Sequence, residues 1–287
     1  MTVQAARHLL HHTLPLDLGD DRFNHRWVES LHASPECFAG VVATGGGHPI
    51  GYLGGIAIGD TLHLEALVAD HHRQAQTAVL QSMIDEVRAN PLAERSHLEV
   101  WGKPAMPWHT AVAERNGMRE VRALHQMRCP LPVVVDPLPT RAFVPGVDDE
   151  ALRLVNNAAF AGHPDQGGLT VEAFAHKLAE PGVQPEGIRL FEHEGRLAGF
   201  CWTKMHHDQG LGEVYAIGLD PSVHGRGLGM GMTAAGLNWL HGQGFETGML
   251  YVEANNAPAV RTYENLGFCV VRTDKAWSTA PEDGAKP

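Results

Sequence analysis

The sequence predicts an α/β protein with a mixed sheet, built from two similar domains in tandem. Three features predict this fold class. Prolines gather near the midpoint of the chain, in residues 129–147. The two halves on either side show strand and helix patterns in the same order, and the second half carries a glycine-rich loop, residues 224–231, between a strand and a helix. A repeated strand, loop, helix and strand is typical of an α/β unit that occurs twice.

Composition excludes several classes of protein. The chain has 287 residues, with 22 Lys plus Arg against 33 Asp plus Glu and a net charge of −11. A protein that binds nucleic acid or an anionic membrane ordinarily presents a basic face, so we expect neither partner. No apolar run is long enough for a membrane span. The 4 cysteines lie far apart without a C-x-x-C pair, which favours the reducing cytoplasm. We therefore expect a soluble, cytoplasmic protein that acts as a monomer.

The midpoint segment predicts the domain boundary. Its prolines fix φ and remove backbone donors, so the segment reads as a semi-rigid linker. We predict an N-terminal domain over residues 1–135 and a C-terminal domain over residues 141–287.

The strand and helix patterns repeat across this linker. In the second half, strand-like residues 212–220 precede the glycine loop, a helix, a second strand at 249–254 and the segment 255–272. In the first half, residues 62–70 occupy the place of the first strand and residues 97–100 that of the second. The matching order predicts two copies of one unit.

The glycine loop predicts a phosphate site. Four alternate glycines leave the backbone open, so that successive N–H groups at a helix start can converge on phosphate oxygens. Arg226 can add a charged contact. A flexible turn with close helix packing is the alternative, because glycine repeats alone are weak evidence. The loop is not a Walker A loop, since no Gly-Lys-Ser/Thr follows it.

The context of the loop resembles the GNAT family of N-acetyltransferases. Residues 224–229 (HGRGLG) resemble the family's acyl-CoA motif, Q/R-x-x-G-x-G/A, with His224 in place of the usual Gln or Arg. Residues 255–268 (NNAPAVRTYENLGF) resemble its signature helix. The resemblance implies acetyl-CoA as co-substrate. The residues expected to bind it are Ile217, Gly218, Leu219, His224, Gly225, Arg226, Gly227, Leu228, Gly229, Met230, Asn256 and Arg261.

The tandem arrangement extends the resemblance to the mycothiol synthase family. Residues 157–168 (NAAFAGHPDQGG) and 212–215 (GEVY) also carry it. The resemblance implies that the C-terminal half acetylates the cysteinyl amine of desacetylmycothiol, a small molecule made of cysteine, glucosamine and inositol. Contacts with this amine are implied for Glu36, Asp165, Lys204, Glu213 and Tyr251.

Two residues are candidates for the chemistry. An α-amino group has a pKa of about 7.7–8.0, so it needs only modest help to lose a proton near neutral pH, and Glu213 is the candidate base, acting directly or through water. Tyr263 is the candidate acid for the leaving thiolate, because a phenol stays protonated near neutral pH. Strand alternation predicts that Glu213, Tyr215 and Ile217 share one face. The alternatives are an exposed strand-end carboxylate for Glu213 and core packing for Tyr263.

The first half lacks these features. Gln74, Ala75 and Gln76 stand where the second half has Gly227, Leu228 and Gly229, and Ala113 stands opposite Tyr263. We predict that acetyl-CoA binding is weak or altered in the first half, which then serves structure or substrate contact.

Other functions remain open from the sequence. The 19 histidines include His71-His72 and His206-His207, but no H-E-x-x-H or paired cysteines accompany them, so we expect no metal. Two rival hypotheses are a tandem GNAT enzyme for another amine, such as an aminosugar or a peptide N-terminus, and a non-catalytic acyl-CoA-binding regulator.

Overall fold

The structure is a computed structural model that describes residues 37–45, 48–68, 75–94, 96–163 and 166–281. The chain divides into two compact units. Unit 1 takes the chain up to Leu124 and again from Arg272 onward, and unit 2 is His125–Val271. Within the described residues, no helix is both long and apolar enough to cross a membrane.

Unit 1 is a mixed sheet covered by helices. The sheet order is β1-β2-β3-β4-β11, in which β3 and β4 are parallel and the other pairs are antiparallel. Alternate residues of β3, Leu62 and Leu64, are buried together with Leu80 and Met83 of the first helix, α1. The elements of this unit are β1 (Phe38–Gly45), β2 (His48–Ile58), β3 (Thr61–Val68), α1 (Gln76–Arg88), α2 (Pro91–Glu94), β4 (His97–Gly102) and α3 (Pro107–Arg115).

Unit 2 repeats this plan, and its described residues form four helices. Its sheet order is β5-β10-β9-β8-β7-β6, in which β9 and β10 are parallel. One core lies against α6 and α7, and a second core lies against α4 and α5. The elements are β6 (Arg141–Ala142), α4 (Asp149–Ala159), α5 (Val171–Leu178), β7 (Ile188–His193), β8 (Arg196–His206), β9 (Leu211–Leu219), α6 (Leu228–Gly242), β10 (Thr247–Glu253) and α7 (Ala257–Asn265), with short 3-10 turns at Pro185–Gly187 and Pro221–Val223.

Two strands belong to both units. The strand β5 (Arg119–Pro130) begins in unit 1 and ends in unit 2, next to β10. The strand β11 (Cys269–Ser278) begins in unit 2 and ends in unit 1, where Lys275 pairs with Gly102 of β4. The sheet of unit 1 is therefore completed by β11, which follows α7 of unit 2. The sheet of unit 2 is completed by β5, which follows α3 of unit 1.

The unit boundary differs from the predicted one. The proline-rich segment does not act as a linker, because Leu131, Val133, Val135 and Leu138 pack against the core of unit 2. The backbone N–H of Leu138 also donates to the carbonyl of Gly231 in α6, at 3.0 Å. The apolar residues between the prolines attach this segment to unit 2, so the boundary falls earlier, between Leu124 and His125.

Candidate active site

The parallel strands β9 and β10 pair over only part of their length. The pairs run from Leu211–Thr247 to Val214–Leu250. Beyond Val214, β9 continues to Leu219 and β10 to Glu253, and over these described residues the two strands form no further pairs with each other. Backbone groups along this opening can bind an extended ligand, because buried backbone donors and acceptors need partners. The predicted cofactor residues Ile217, Gly218 and Leu219 lie on the β9 side of the opening.

The glycine loop leads from this opening into α6. Gly225 has φ +75° and Gly227, the residue at the N-terminus of α6, has φ +72°. A side chain at either position would meet no neighbouring atom, so the backbone conformation is what requires glycine here. The first turn of α6 contains no acidic residue. Its unpaired N–H groups and the helix dipole therefore favour an anion at this end.

The other two glycines of the loop have a different role. A Cβ on Gly231 would lie 3.0 Å from Leu138, and one on Gly229 would lie 3.8 Å from Thr262 of α7. Gly231 therefore permits the proline-rich segment to pack closely against α6.

Polar side chains around the loop are partly engaged. The exposed His224 ring donates from Nε2 to the carbonyl of Leu219 at 2.9 Å, which ties the loop to the end of β9. Arg226 Nη1 lies 3.0 Å from His193 Nε2. Asn256 accepts a hydrogen bond from the N–H of Ala259 at 3.3 Å and thereby caps α7. The remaining predicted cofactor residues are the partly buried Leu228 and Met230 and the exposed Arg261.

A β-bulge at Tyr215 changes the faces of β9. Trp202 pairs with Ala216 and Thr203 pairs with Val214, so Tyr215 has no cross-strand partner on β8. The prediction that Glu213, Tyr215 and Ile217 share a face is therefore wrong, because the extra residue inverts the alternation beyond it. Val214 and Ile217 belong to the core beneath α6 and α7, whereas Ala216 belongs to the core beneath α4 and α5.

Glu213 lies in a buried polar cluster on the α4 and α5 side of the sheet. It is only 3% exposed and its Oε2 lies 2.8 Å from Nε2 of His206, which is 4% exposed. Lys204 pairs with Glu213 across the strands, is 1% exposed, and places its Nζ 3.4 Å from Glu180 Oε2. Glu213 is thus a buried carboxylate rather than an exposed strand-end residue.

Tyr215 joins the same cluster. Its hydroxyl accepts a hydrogen bond from Lys177 of α5 at 2.7 Å. The Lys177 and Lys204 ammonium groups lie 5.0 and 5.7 Å from the centre of its ring. Sequence reasoning did not single out Lys177, Glu180 or the contact of His206. The short turn after His206 carries the signal, because it sets the register that brings Lys204 and His206 beside Glu213.

Tyr263 is part of the core on the other side of β9. It is 8% exposed, packs edge-on against Phe268 at 5.9 Å between ring centres, and belongs to the same core as Val214. Burial raises the pKa of the Tyr263 phenol above its usual value, and the nearby Cys201 thiol adds to the increase. The phenol is therefore a proton donor at neutral pH. The structure shows the core packing of Tyr263, and its role as the acid stays a prediction.

Tyr251 follows Leu250, the last residue of β10 that pairs with β9. Its hydroxyl accepts a hydrogen bond from Nε2 of Gln126 on β5, at 2.6 Å, and Gln126 is 1% exposed. Of the five residues implied to contact an amine, the structure makes Lys204 and Glu213 direct neighbours and places Tyr251 by the strand opening. Glu36 and Asp165 lie outside the described residues. Within the described part of the chain, no group of three or more His, Cys, Asp or Glu side chains could hold a metal ion.

Comparison with known proteins gives a consistent result. Residues 156–268 match the model of the acetyltransferase (GNAT) family. A mycothiol acetyltransferase of Streptomyces avermitilis is 44% identical over 196 residues, which are 63% of this chain and 64% of that protein. A mycothiol acetyltransferase of Segniliparus rotundus is 44% identical over 190 residues, which are 62% of this chain and 72% of that protein. The matched region thus spans just under two thirds of the Streptomyces relative.

Solved structures resemble the whole chain. A tandem GNAT protein from the clavulanic acid biosynthesis pathway aligns with a TM-score of 0.59 at 18% identity, and the alignment covers 91% of this chain and 89% of that one. At this identity the likeness concerns the fold alone. It confirms the predicted mixed α/β fold of the GNAT type.

Proposed function

The chain belongs to the mycothiol acetyltransferase family of GNAT proteins, and on this premise we propose that it transfers the acetyl group of acetyl-CoA to the cysteinyl amine of desacetylmycothiol. The products are mycothiol and CoA. The observation that carries the proposal is the opening between β9 and β10, which leads from the glycine loop to the buried Glu213.

The glycine loop and the start of α6 fit the pyrophosphate of CoA. Gly225 and Gly227 leave open space where side chains would project, and the free N–H groups of the helix start point outward. The positive side chain of Arg226 is exposed beside them. An acidic protein can bind a polyanion in this way, because the attraction comes from local backbone dipoles.

The opening between the strands fits the pantetheine and the thioester. Extended ligands bind to strand edges through backbone hydrogen bonds. N–H groups of β9 between Ile217 and Leu219 are the proposed donors to the oxyanion that forms when the amine attacks the thioester carbonyl.

Glu213 and Tyr263 lie on opposite faces of β9, and each is the proposed partner of one proton in the transfer. The amine nitrogen forms a bond to the acetyl carbon, and its proton passes to the Glu213 carboxylate, directly or through one water. The carbon–sulfur bond breaks, and the Tyr263 phenol donates its proton to the departing thiolate.

Lys204 and Tyr251, with Glu36 and Asp165 outside the described residues, are the proposed contacts of the amine. Their carboxylate, ammonium and phenol groups suit a substrate rich in hydroxyls. The 4 free cysteines suit the cytoplasm, where thiols stay reduced.

A thiol assay of CoA release over a panel of amines tests the proposal. We expect the cysteinyl-glucosaminyl-inositol amine to give a kcat/KM at least about 100-fold above those of an aminosugar antibiotic and a peptide N-terminus. An equal or higher value for either of those amines would assign the fold to another substrate. If the protein bound acetyl-CoA but released no CoA with any amine of the panel, it would instead be a non-catalytic acyl-CoA-binding regulator.

A further inference from the structure

The contact between His206 and Glu213 gives His206 a role in the reaction. The two side chains lie 2.8 Å apart, Nε2 to Oε2, and both are almost fully buried. A hydrogen bond from an imidazole N–H to a carboxylate is charge-assisted, and it is stronger than a neutral bond in such surroundings. The pair is therefore a fixed feature of the site.

The strands hold the two residues in register. His206 is the last residue of β8 and pairs with Leu211, while Glu213 pairs with Lys204 two residues earlier. Alternate residues of a strand share a face, so His206 and Lys204 both face Glu213. The Lys204 ammonium lies 3.4 Å from Glu180, so it interacts with a carboxylate other than that of Glu213.

This geometry matters because a buried carboxylate has several rotamers and only some direct an oxygen at the amine. The bond from His206 engages Oε2, and Oε1 is the proposed acceptor of the amine proton. Misplacement of a catalytic group by about 1 Å costs on the order of 100-fold in rate. A neighbour that fixes the rotamer thereby acts on the chemical step.

We infer that His206 is a positioning residue, which fixes the Glu213 carboxylate by donating a hydrogen bond from Nε2. The inference rests on the proposed function, since it assigns Glu213 as the base. The proposed role requires a hydrogen-bond donor beside Glu213 and does not require an imidazole. A residue with a purely structural role would not depend on this donor.

Two substitutions test the inference, with steady-state kinetics for both substrates. His206→Phe keeps the ring volume and removes the donor. We expect kcat to fall by about 10- to 100-fold with KM for acetyl-CoA unchanged. His206→Gln presents an amide N–H at the same number of bonds from the backbone, and we expect it to restore kcat to within about threefold of the wild type.

The neighbouring histidine supplies the matched control. His207 is exposed, and its ring lies 5.3 Å from that of Phe245. His207→Phe should leave kcat unchanged. Thermal unfolding and acetyl-CoA titration of each variant show that the fold and cofactor site are intact.

The outcomes separate the two claims. Equal kcat for wild type and His206→Phe would overturn the positioning role while leaving the proposed function in place. A His206→Gln variant that folds, binds acetyl-CoA and is as slow as His206→Phe would overturn it too, because the donor alone would then be insufficient. Failure of the wild type to acetylate the amine would instead overturn the proposed function.

Discussion

Unit 1 and unit 2 share a scaffold and differ at the positions of the proposed catalytic residues. In unit 2 the parallel pair starts with Leu211 and Thr247, and in unit 1 it starts with Thr61 and His97. Counting from these pairs, His63 corresponds to Glu213. Its Nδ1 lies 2.9 Å from Glu99, so the position of the proposed base is occupied by a histidine with its own carboxylate partner.

The helix that follows the second strand shows the same contrast. Ala113 of α3 corresponds to Tyr263 of α7, and both residues are buried in the core of their unit. The N-cap residues of the preceding helices also differ in backbone conformation, since Ala75 before α1 has φ −102° and Gly227 before α6 has φ +72°. The comparison teaches that alternating apolar residues maintain the fold, whereas the proposed acid, the proposed base and the loop conformation each depend on one residue type.

The largest expected effect comes from Glu213→Gln, which removes the proposed base and keeps the size of the side chain. We expect kcat to fall by about 1,000-fold, within the range for general base catalysis, and acetyl-CoA affinity to be kept. His63→Gln, the matching change in unit 1, should leave kcat within about twofold of the wild type. The rate is measured as CoA release. A comparable loss of rate in both variants would contradict the contrast between the units.

Tyr263→Phe comes next. The ring stays in the core while the proton donor is lost, so we expect kcat to fall by about 100-fold with little change in unfolding free energy. Ala113→Ser, at the matching position of unit 1, should not change kcat. If Tyr263→Phe were as fast as the wild type in single-turnover measurements, the tyrosine would be a packing residue alone.

A pH effect should distinguish unit 1. The His109 ring is buried and stacks on Trp108 and Trp277, with ring centres 3.6 and 5.9 Å away. Burial lowers its pKa from 6.5 to about 4. The unfolded chain takes up a proton as the pH falls through 6.5 and the folded unit does not, so stability is lost between about pH 6.5 and 4.

The expected loss is about 2 kcal/mol at about pH 5. Urea unfolding at about pH 8 and about pH 5 measures it. His109→Phe should remove this part of the pH dependence, and His241→Phe, on an exposed residue, should keep it. The same pH dependence in wild type and His109→Phe would contradict the assignment.

The smallest effect is expected from Gly227→Ala. An alanine at φ +72° costs about 1–2 kcal/mol, and strain in the loop should raise the Kd of acetyl-CoA by about tenfold. Gly59→Ala is the control in unit 1, because Gly59 has φ +62° and open space around its Cα. It should lose similar stability without any change in acetyl-CoA titration. A raised Kd in both variants would show that the effect is not local to the loop.

Much of the fold could be predicted from the sequence, because it depends on patterns that repeat. The order of strands and helices and the helix start at the glycine loop are local features. The exchange of β5 and β11 could not be predicted, since both strands carry similar patterns and pairing at long range decides between them. The attachment of the proline-rich segment was also missed, because its prolines obscured the packing of the apolar residues between them.

At the site, the types of residue were easier to predict than the strand face on which each lies and its hydrogen-bond partners. Lys204 and Glu213, which the family resemblance brought together, are neighbours across two strands. The bulge at Tyr215 could not be predicted, because it depends on the pairing of β9 with β8 and not on either strand alone. The buried contact between His206 and Glu213 also depends on this strand pairing. The sequence therefore showed His206 only as one of two adjacent histidines.

The exchanged strands affect how the chain acquires its structure during synthesis. Unit 2 is one continuous segment, and it can form its contacts once Val271 has left the ribosome. The β4 edge of unit 1 gains its partner only when residues 275–278 emerge. The pairing of the β4 edge therefore forms only after the last residue of unit 2 has emerged, and a stop codon just after unit 2 would leave the earlier-made unit with an open, aggregation-prone strand edge.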